Sequence, residues 1–380
     1  MPVSVRVVDT LEEFAGLRPA WDELYAATPE ASPYMSYDWI HMKWAVESAG
    51  ERHVIVVVED DSGLAAVLPL LDSSERSLPF PRRELQWAGG GWSTRQGGLI
   101  APRWTGPLLT PVIDALQREG NWARCTLTVV PEDSPLVAEA RGMAGVTVER
   151  LGETIVIELP DSADEYLAGL SSNRRGQIRS VARKLARQGE VTFRRVGLDA
   201  ECDLSEVDRL VDDALVVSDA SWQGTADHGR AIGDPESREF VREVSKKMAA
   251  RRALDLSVLY LDGRPVSFIW GAARPPATTI SKLAFVSEMD RHRPGVAHMW
   301  WLIQDSIERG MTEIDYGHEF ADYKRRWSPV GRPLYELRLP LPTLPSRLLH
   351  MYENRPDWLD RSVKRFLRRP AETVSSGEHA

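Results

Sequence analysis

Cysteine is almost absent from these 380 residues, with Cys125 and Cys202 the whole complement. They stand far apart and outside any Cys-x-x-Cys pattern, which excludes a disulfide framework or a cysteine metal site and suits a reducing compartment. No run of about 18 apolar residues occurs, and the opening Met-Pro-Val-Ser-Val-Arg lacks an apolar signal core, so the expected location is the cytoplasm. Gly-x-Ser-x-Gly, a Walker lysine loop and His-Glu-x-x-His are also missing, which removes the usual support for hydrolase, P-loop and zincin chemistry. Positive charge is not in excess. Lys and Arg number 47 against 56 Asp and Glu, a net charge of -9, so wholesale nucleic-acid binding is disfavoured and any anion site must be local.

What is present is an ordinary globular composition, 43% hydrophobic and 27% charged, in a chain long enough for two domains. Val3 to Val8 reads as a strand, Thr10 and Glu13 as a capping box, and Ser36 as the start of a helix with Trp39, Ile40, Lys43 and Trp44. His53 to Glu59 and Leu64 to Leu70 read as a hairpin about Asp60-Asp61-Ser62-Gly63. Pro111 to Arg118 is a helix closed by Gly120, and Cys125 to Val130 a strand. The second half repeats this order, with strands at Leu254 to Leu261, Pro265 to Ala273 and Thr278 to Val286, a helix over Val296 to Arg309 ended by Gly310, and a strand at Glu313 to Tyr316. Gly63 recurs as Gly263 and Gly120 as Gly310, offsets of 200 and 190, which predicts a tandem duplication of one α/β unit. The expected organisation is a mixed α/β fold with lobes over 1–160 and 161–340, then a basic helical tail over 341–380 with a disordered end.

Between the halves, Asp161 or Ser162 caps one helix and a second follows from Ser172 to Gly189. On this second helix Ile178, Val181, Ala182 and Leu185 form an apolar stripe, while Arg175, Arg179, Arg183 and Arg187 recur every fourth residue on another face. Such a stripe is either a solvated face or a grip on phosphates, and Arg175 and Arg179 are its substrate-side candidates. Trp222, within Ala220-Ser221-Trp222-Gln223-Gly224, is a candidate for an apolar or sugar pocket, and Gly89-Gly90-Gly91-Trp92-Ser93 for a substrate loop or a plain turn.

Two segments carry most of the chemistry. Arg291-His292-Arg293-Pro294-Gly295-Val296-Ala297 follows a strand and opens a helix, where free backbone N–H groups, close approach at glycine and flanking arginines suit a diphosphate. The segment from Glu313 to Trp327 (Glu-Ile-Asp-Tyr-Gly-His-Glu-Phe-Ala-Asp-Tyr-Lys-Arg-Arg-Trp) is too polar for core and too aromatic for a linker; it reads as a strand end delivering side chains to a pocket, or as a polar hairpin. An attacking amine must lose a proton to a carboxylate or imidazole, and Asp315, His318, Glu319 and Asp322 are groups of that type. Lys324 is a cation for a developing oxyanion. Spacing alone fixes neither role.

These residues resemble the large two-lobed branch of the GNAT acyltransferase superfamily, the CelD-like or BioF2-like acetyltransferase domains, and more distantly the Fem-type peptidoglycan aminoacyl transferases. The resemblance rests on Ala66-Val67-Leu68-Pro69-Leu70, Ser172-Asn173-Arg174-Arg175, Arg183-Lys184-Leu185, Leu261-Asp262-Gly263-Arg264-Pro265-Val266, Arg293-Pro294-Gly295, Ile314-Asp315-Tyr316-Gly317 and Asp322-Tyr323-Lys324, spanning Trp21 to Trp327. It implies two GNAT folds side by side, with acyl-CoA held by the second at His292 to Ala297; His292 departs from the Gln or Arg usual at the loop's first position. In Fem-type enzymes an aromatic–lysine pair near the same strand end stabilises the reacting ester and contacts the tRNA terminus, and Tyr323-Lys324 takes that place here. The leading expectation is an N-acyltransferase acting on an amine of a small metabolite or sugar by direct attack, since no Cys or Ser lies in a nucleophile motif. The alternatives are a tRNA-dependent aminoacyl transferase and a GNAT-fold binding protein without chemistry.

Overall fold

The computed structural model describes residues 3–28, 30–48, 50–75, 82–199, 202–222, 231–318 and 323–353. Thirteen strands among them join one mixed sheet: β1 Ser4–Val8, β2 His53–Asp60, β3 Gly63–Glu75, β4 Arg82–Trp87, β5 Leu99–Ile100, β6 Arg124–Pro131, β7 Thr147–Glu158, β8 Val191–Val196, β9 Leu254–Leu261, β10 Arg264–Arg274, β11 Ala277–Phe285, β12 Glu313–His318 and β13 Gly331–Pro340. Helices cover both faces, with α1 Leu11–Gly16, α2 Arg18–Ala27, α3 Tyr37–Met42, α4 Leu109–Glu119 and α5 Pro135–Arg141 in the first half. α6 Ala163–Gly169, α7 Ser172–Ala186, α8 Leu204–Asp219, α9 Pro235–Ala249, α10 Pro294–Glu308 and α11 Leu344–Glu353 follow.

The strand run at 53–59 shows why the sheet lies inside. Val54, Val56 and Val58 point into one core cluster and Ile55 and Val57 into another, all fully buried. A strand apolar at every position is stable only when both faces are covered. The anticipated capping at Thr10 is present, its hydroxyl accepting the Glu13 N–H at 3.3 Å, and Ser162 accepts the Glu165 N–H at 3.2 Å to start α6.

The sheet order is β1-β2-β3-β4-β6-β13-β7-β12-β11-β10-β9-β8, with β5 off this path against β3. Two parallel pairs occupy matching places, β4 with β6 and β11 with β12, and all other ladders are antiparallel. β7 follows β6 in the chain yet pairs with β12, while β13 follows β12 yet pairs with β6. Each half therefore completes the other's sheet. The sequence reading did not include β4, β5, β7, β8 or β13, nor α2, α5, α8 and α9.

The halves also share an aromatic core. Trp39 and Trp92 meet Phe240 and Trp270 at ring-centroid distances of 5.3 to 6.0 Å. Arg274, at the end of β10, donates to the carbonyls of Tyr25, Ala26, Thr28 and Ala31 and so satisfies the C-terminal end of α2 from across the divide. The tail begins as expected with a helix, α11, and residues from 354 onward, including the expected disordered end, lie outside the described residues.

Candidate active site

β11 and β12 pair in parallel at Ala277 with Glu313, Thr278 with Ile314 and Thr279 with Asp315, and the ladder ends there. Parallel strands release their following segments at the same edge. The turn Ser287–His292 and α10 after β11, and the segment Tyr323 to Trp327 after β12, thus open together where α/β sheets bind ligands.

The end of β12 is shaped by Asp315, which is 3% exposed. Its Oδ1 accepts the Gly317 N–H at 2.9 Å and the hydroxyl of Thr154 on β7. The register against β7 shifts between Asp315 and His318, a bulge in which Gly317 takes φ +76°. Bulges of this kind re-aim side chains beside functional sites. A Cβ at Gly317 would stand 3.1 Å from Thr94 Cγ2, 3.3 Å from Ile280 O and 3.4 Å from Lys324 Nζ, so the position has neither the dihedral nor the room for a side chain.

Lys324 folds back over this bulge. Its Nζ donates to Tyr316 O at 2.8 Å and lies 5.2 Å from the Tyr316 ring centroid. Burial lowers its pKa to about 8, against the opposing pull of Asp315. Tyr323, 41% exposed, packs edge-on to Tyr316 at 6.1 Å and hydrogen-bonds to it. Burial holds the Tyr316 phenol well above 10.

The first half contributes to the same place. Tyr34, fully buried, directs its hydroxyl to Thr279 O at 3.5 Å and to Ser281, and its ring stands within the field of Asp315. Ser281 in turn donates to Trp92 O, and the Lys282 amine lies 4.6 Å from the Trp92 ring. Thr94 Oγ1 is buried and finds no hydrogen-bond partner among the described residues.

The start of α10 suits a diphosphate. Arg293 takes φ +52°, Pro294 occupies the first turn, and no side chain among the described residues caps the helix. The peptide dipoles of this 15-residue helix therefore present their positive end uncovered. Gly295 packs so close to Phe285 that a Cβ would lie 3.3 Å from its ring. Arg291 and Arg293 are exposed, Arg291 Nε donating to His292 Nε2 at 2.9 Å, while Val296 is half-buried and Ala297 buried.

Asp315, Tyr323, Lys324 and the 291–297 segment thus share one edge. Trp222, 54% exposed beyond α8, stands at that end too, since the Ser287 N–H bonds Ala220 O at 3.0 Å. His318 is placed as the last residue of β12, opposite Thr154, whereas its side chain, Glu319 and Asp322 lie outside the described residues. Arg175 and Arg179 are elsewhere, lining a separate depression of about 350 Å³ with Asp164, Leu167 and Ala168. Arg175 there donates to the carbonyls of Ala168 and Leu170, finishing α6. Tyr34, Thr94, Thr154 and Arg174 were not singled out from sequence as site residues, because each owes its place to partners far away in the chain.

Comparison with known proteins agrees with this geometry. Residues 172–325 match the acetyltransferase (GNAT) domain family. Among solved structures the chain is similar to FemX, with TM-score 0.59 at 12% identity over 93% of this chain and 99% of that one. It is also similar to the C-terminal domain of a proposed lysylphosphatidylglycerol synthetase from Agrobacterium fabrum, with TM-score 0.56 at 14% identity over 86% and 92%. L-PGS from Bacillus licheniformis gives TM-score 0.54 at 13% identity over 95% and 98%. At such identities the likeness is one of fold. No curated protein matches the chain in sequence. A parallel strand pair carrying an uncapped helix start on one member and a lysine-bearing bulge on the other is here the framework of the GNAT acetyltransferase domain that residues 172–325 match, a match that supports an acyltransferase.

Proposed function

We propose that the chain transfers an acyl group from an acyl-CoA to the amine of a small metabolite or sugar. The observation that carries this reading is the parallel pairing of β11 with β12, which brings the uncapped start of α10 and the amine of Lys324 to one edge. Arg291, His292, Arg293 and the first turn at Gly295, Val296 and Ala297 would hold the diphosphate. The bound thioester supplies an activated carbonyl. Lys324, desolvated and anchored on Tyr316 O, is set to donate to the oxygen that gains charge as the amine attacks. Asp315, with Oδ1 engaged by Thr154 and Gly317, is assigned the holding of the bulge, and Tyr323 the packing of Tyr316. His318 and Glu319 are our proposed acceptors of the amine proton, and Trp222 a contact for the acceptor substrate.

The same proposal takes the fold as a duplication, with units over 1–160 and 161–340 and a tail over 341–380. The recurrence of a parallel pair at equivalent places in the sheet supports it. Chemistry is assigned to the second unit, because after β6 the chain runs through Ser134, which caps α5, with no lysine in the place of Lys324. A cytoplasmic setting belongs to the proposal; among the described residues no helix is long and apolar enough to cross a membrane.

Release of free thiol from acetyl-CoA with a panel of small amines and amino sugars tests the reading. Turnover with at least one amine is the expected result, and absence of any acyl-CoA binding by calorimetry overturns it. A second reading, an aminoacyl-tRNA donor, is favoured by Tyr323 and Lys324 standing together at the strand end, with Arg175 and Arg179 on α7. Binding of charged tRNA that weakens steeply with salt, without acyl-CoA binding, would select it.

A further inference from the structure

A cavity of about 540 Å³ lies beside the start of α7, lined by Gly169, Ser171, Asn173, Arg174, Gln177 and, from the segment after Lys324, Arg325 and Arg326 with Ser328 and Pro329. Arg174 is the unusual member. It is only 9% exposed, its guanidinium rests 4.2 Å from the Trp327 ring centroid, and its Nη1 donates to Gln177 Oε1 at 2.5 Å. Its Nε is buried and has no partner among the described residues.

A guanidinium does not escape burial by losing its proton, so the fold keeps a positive charge out of water. Nature usually offsets that cost with a carboxylate. Here no acid among the described residues pairs with Arg174 or Arg326, and the charges that act on Arg174 include two more cations, Arg326 and Arg293, which together with burial depress its pKa. Arg195 shows the contrast within the same chain, being buried against Asp255 at 2.7 Å and Asp305 at 2.8 Å. Of the three arginines that line the void, Arg325 is paired with Glu153, whereas Arg174 and Arg326 have no acid partner among the described residues, and a bound anion would supply the negative charge they lack.

We propose that this cavity is a binding site for the phosphate of a small organic phosphate, with Arg174 at its floor, Arg326 at its rim and the first turn of α7 completing it. Phosphate matches the donors better than a carboxylate does, because its oxygens satisfy several forked N–H groups at once along with the amides of Asn173 and Gln177 and the hydroxyls of Ser171 and Ser328. The volume falls in the usual range for small-molecule pockets, about 300 to 1,000 Å³, and exceeds the need of bare phosphate. No residue of the 291–297 segment lines the cavity, and the proposal does not depend on the identity of the acyl donor.

Calorimetric titration of the full chain with inorganic pyrophosphate and, separately, with coenzyme A tests it. Pyrophosphate should bind the unaltered chain, and Arg326→Gln, at an exposed position, should weaken it about tenfold or more, with Arg174→Gln acting in the same direction. Arg187→Gln, at an exposed position at the far end of α7, should leave binding unchanged. If Arg174→Gln does not fold, Arg326→Gln alone decides. Parallel weakening of coenzyme A would assign the phosphate to the donor, and unchanged coenzyme A affinity would assign it to another phosphorylated ligand; both keep the site. No pyrophosphate binding, or binding lost in Arg293→Ala and untouched in Arg326→Gln, overturns it. Loss of acyl transfer with pyrophosphate binding intact would count against the proposed reaction and leave this site standing.

Discussion

The amine of Lys324 lies 2.8 Å from the carbonyl oxygen of Tyr316, eight residues back along the chain, and so closes a loop over Gly317. The contact ties the segment after β12 to the strand itself. It also holds a cation where burial lowers its pKa to about 8.

Replacing Lys324 by Met should lower the transfer rate by about 10²- to 10³-fold, the scale for losing one oxyanion donor, while the fold persists. If the protonated amine is the working form, activity falls as pH rises through about 8, and Lys324→Met abolishes that limb. The stability effect has the opposite sense. The folded state disfavours the charged amine, so stability rises between about pH 8 and the ordinary lysine value of 10.5, where the unfolded chain still binds the proton. Chemical denaturation across that window should show the rise in the native chain and a smaller one in Lys324→Met.

Asp315→Ala strips the Gly317 N–H and the Thr154 hydroxyl of their acceptor and should cost about 1 to 3 kcal/mol by denaturant unfolding. Asp315→Asn keeps an acceptor oxygen and should recover most of both stability and rate. Equal, complete loss of activity in the two variants would identify Asp315 as the base and remove it from its holding role.

Gly317→Val places a branched side chain at φ +76°, with its Cβ crowding Thr94, Ile280 O and the Lys324 amine. Strain of this kind costs about 1 to 3 kcal/mol. Thermal unfolding should register the loss, and the displaced amine should lower the rate beyond what reduced stability explains.

Asp255→Ala leaves Arg195, whose side chain is 1% exposed, without its two-pronged partner. Removing one member of a buried pair costs about 3 to 5 kcal/mol, because a desolvated charge is left behind. Equilibrium unfolding measures this directly, and replacing both partners with apolar residues of similar volume should cost far less.

How much of this was legible in the sequence follows the range of the forces involved. The capping of Thr10 and Ser162, the hairpin about Gly63, the doubly buried run at Val54 to Val58 and the helix ended by Gly310 are short-range matters of backbone dihedral, cap chemistry and periodicity, so the residues themselves dictate them. The two chemically loaded segments, 291–297 and 313–327, were also visible, since their composition suits neither core nor linker. The tertiary structure alone decided the rest. It placed β13 between β6 and β7, bonded Arg175 to carbonyls at the end of α6, set Tyr34 beside β11 and Thr94 beside Gly317, and buried Arg174 over Trp327 without an acid partner among the described residues. Strand exchange and the desolvation of a charge depend on partners a hundred or more residues away, and no local pattern encodes which of them will meet.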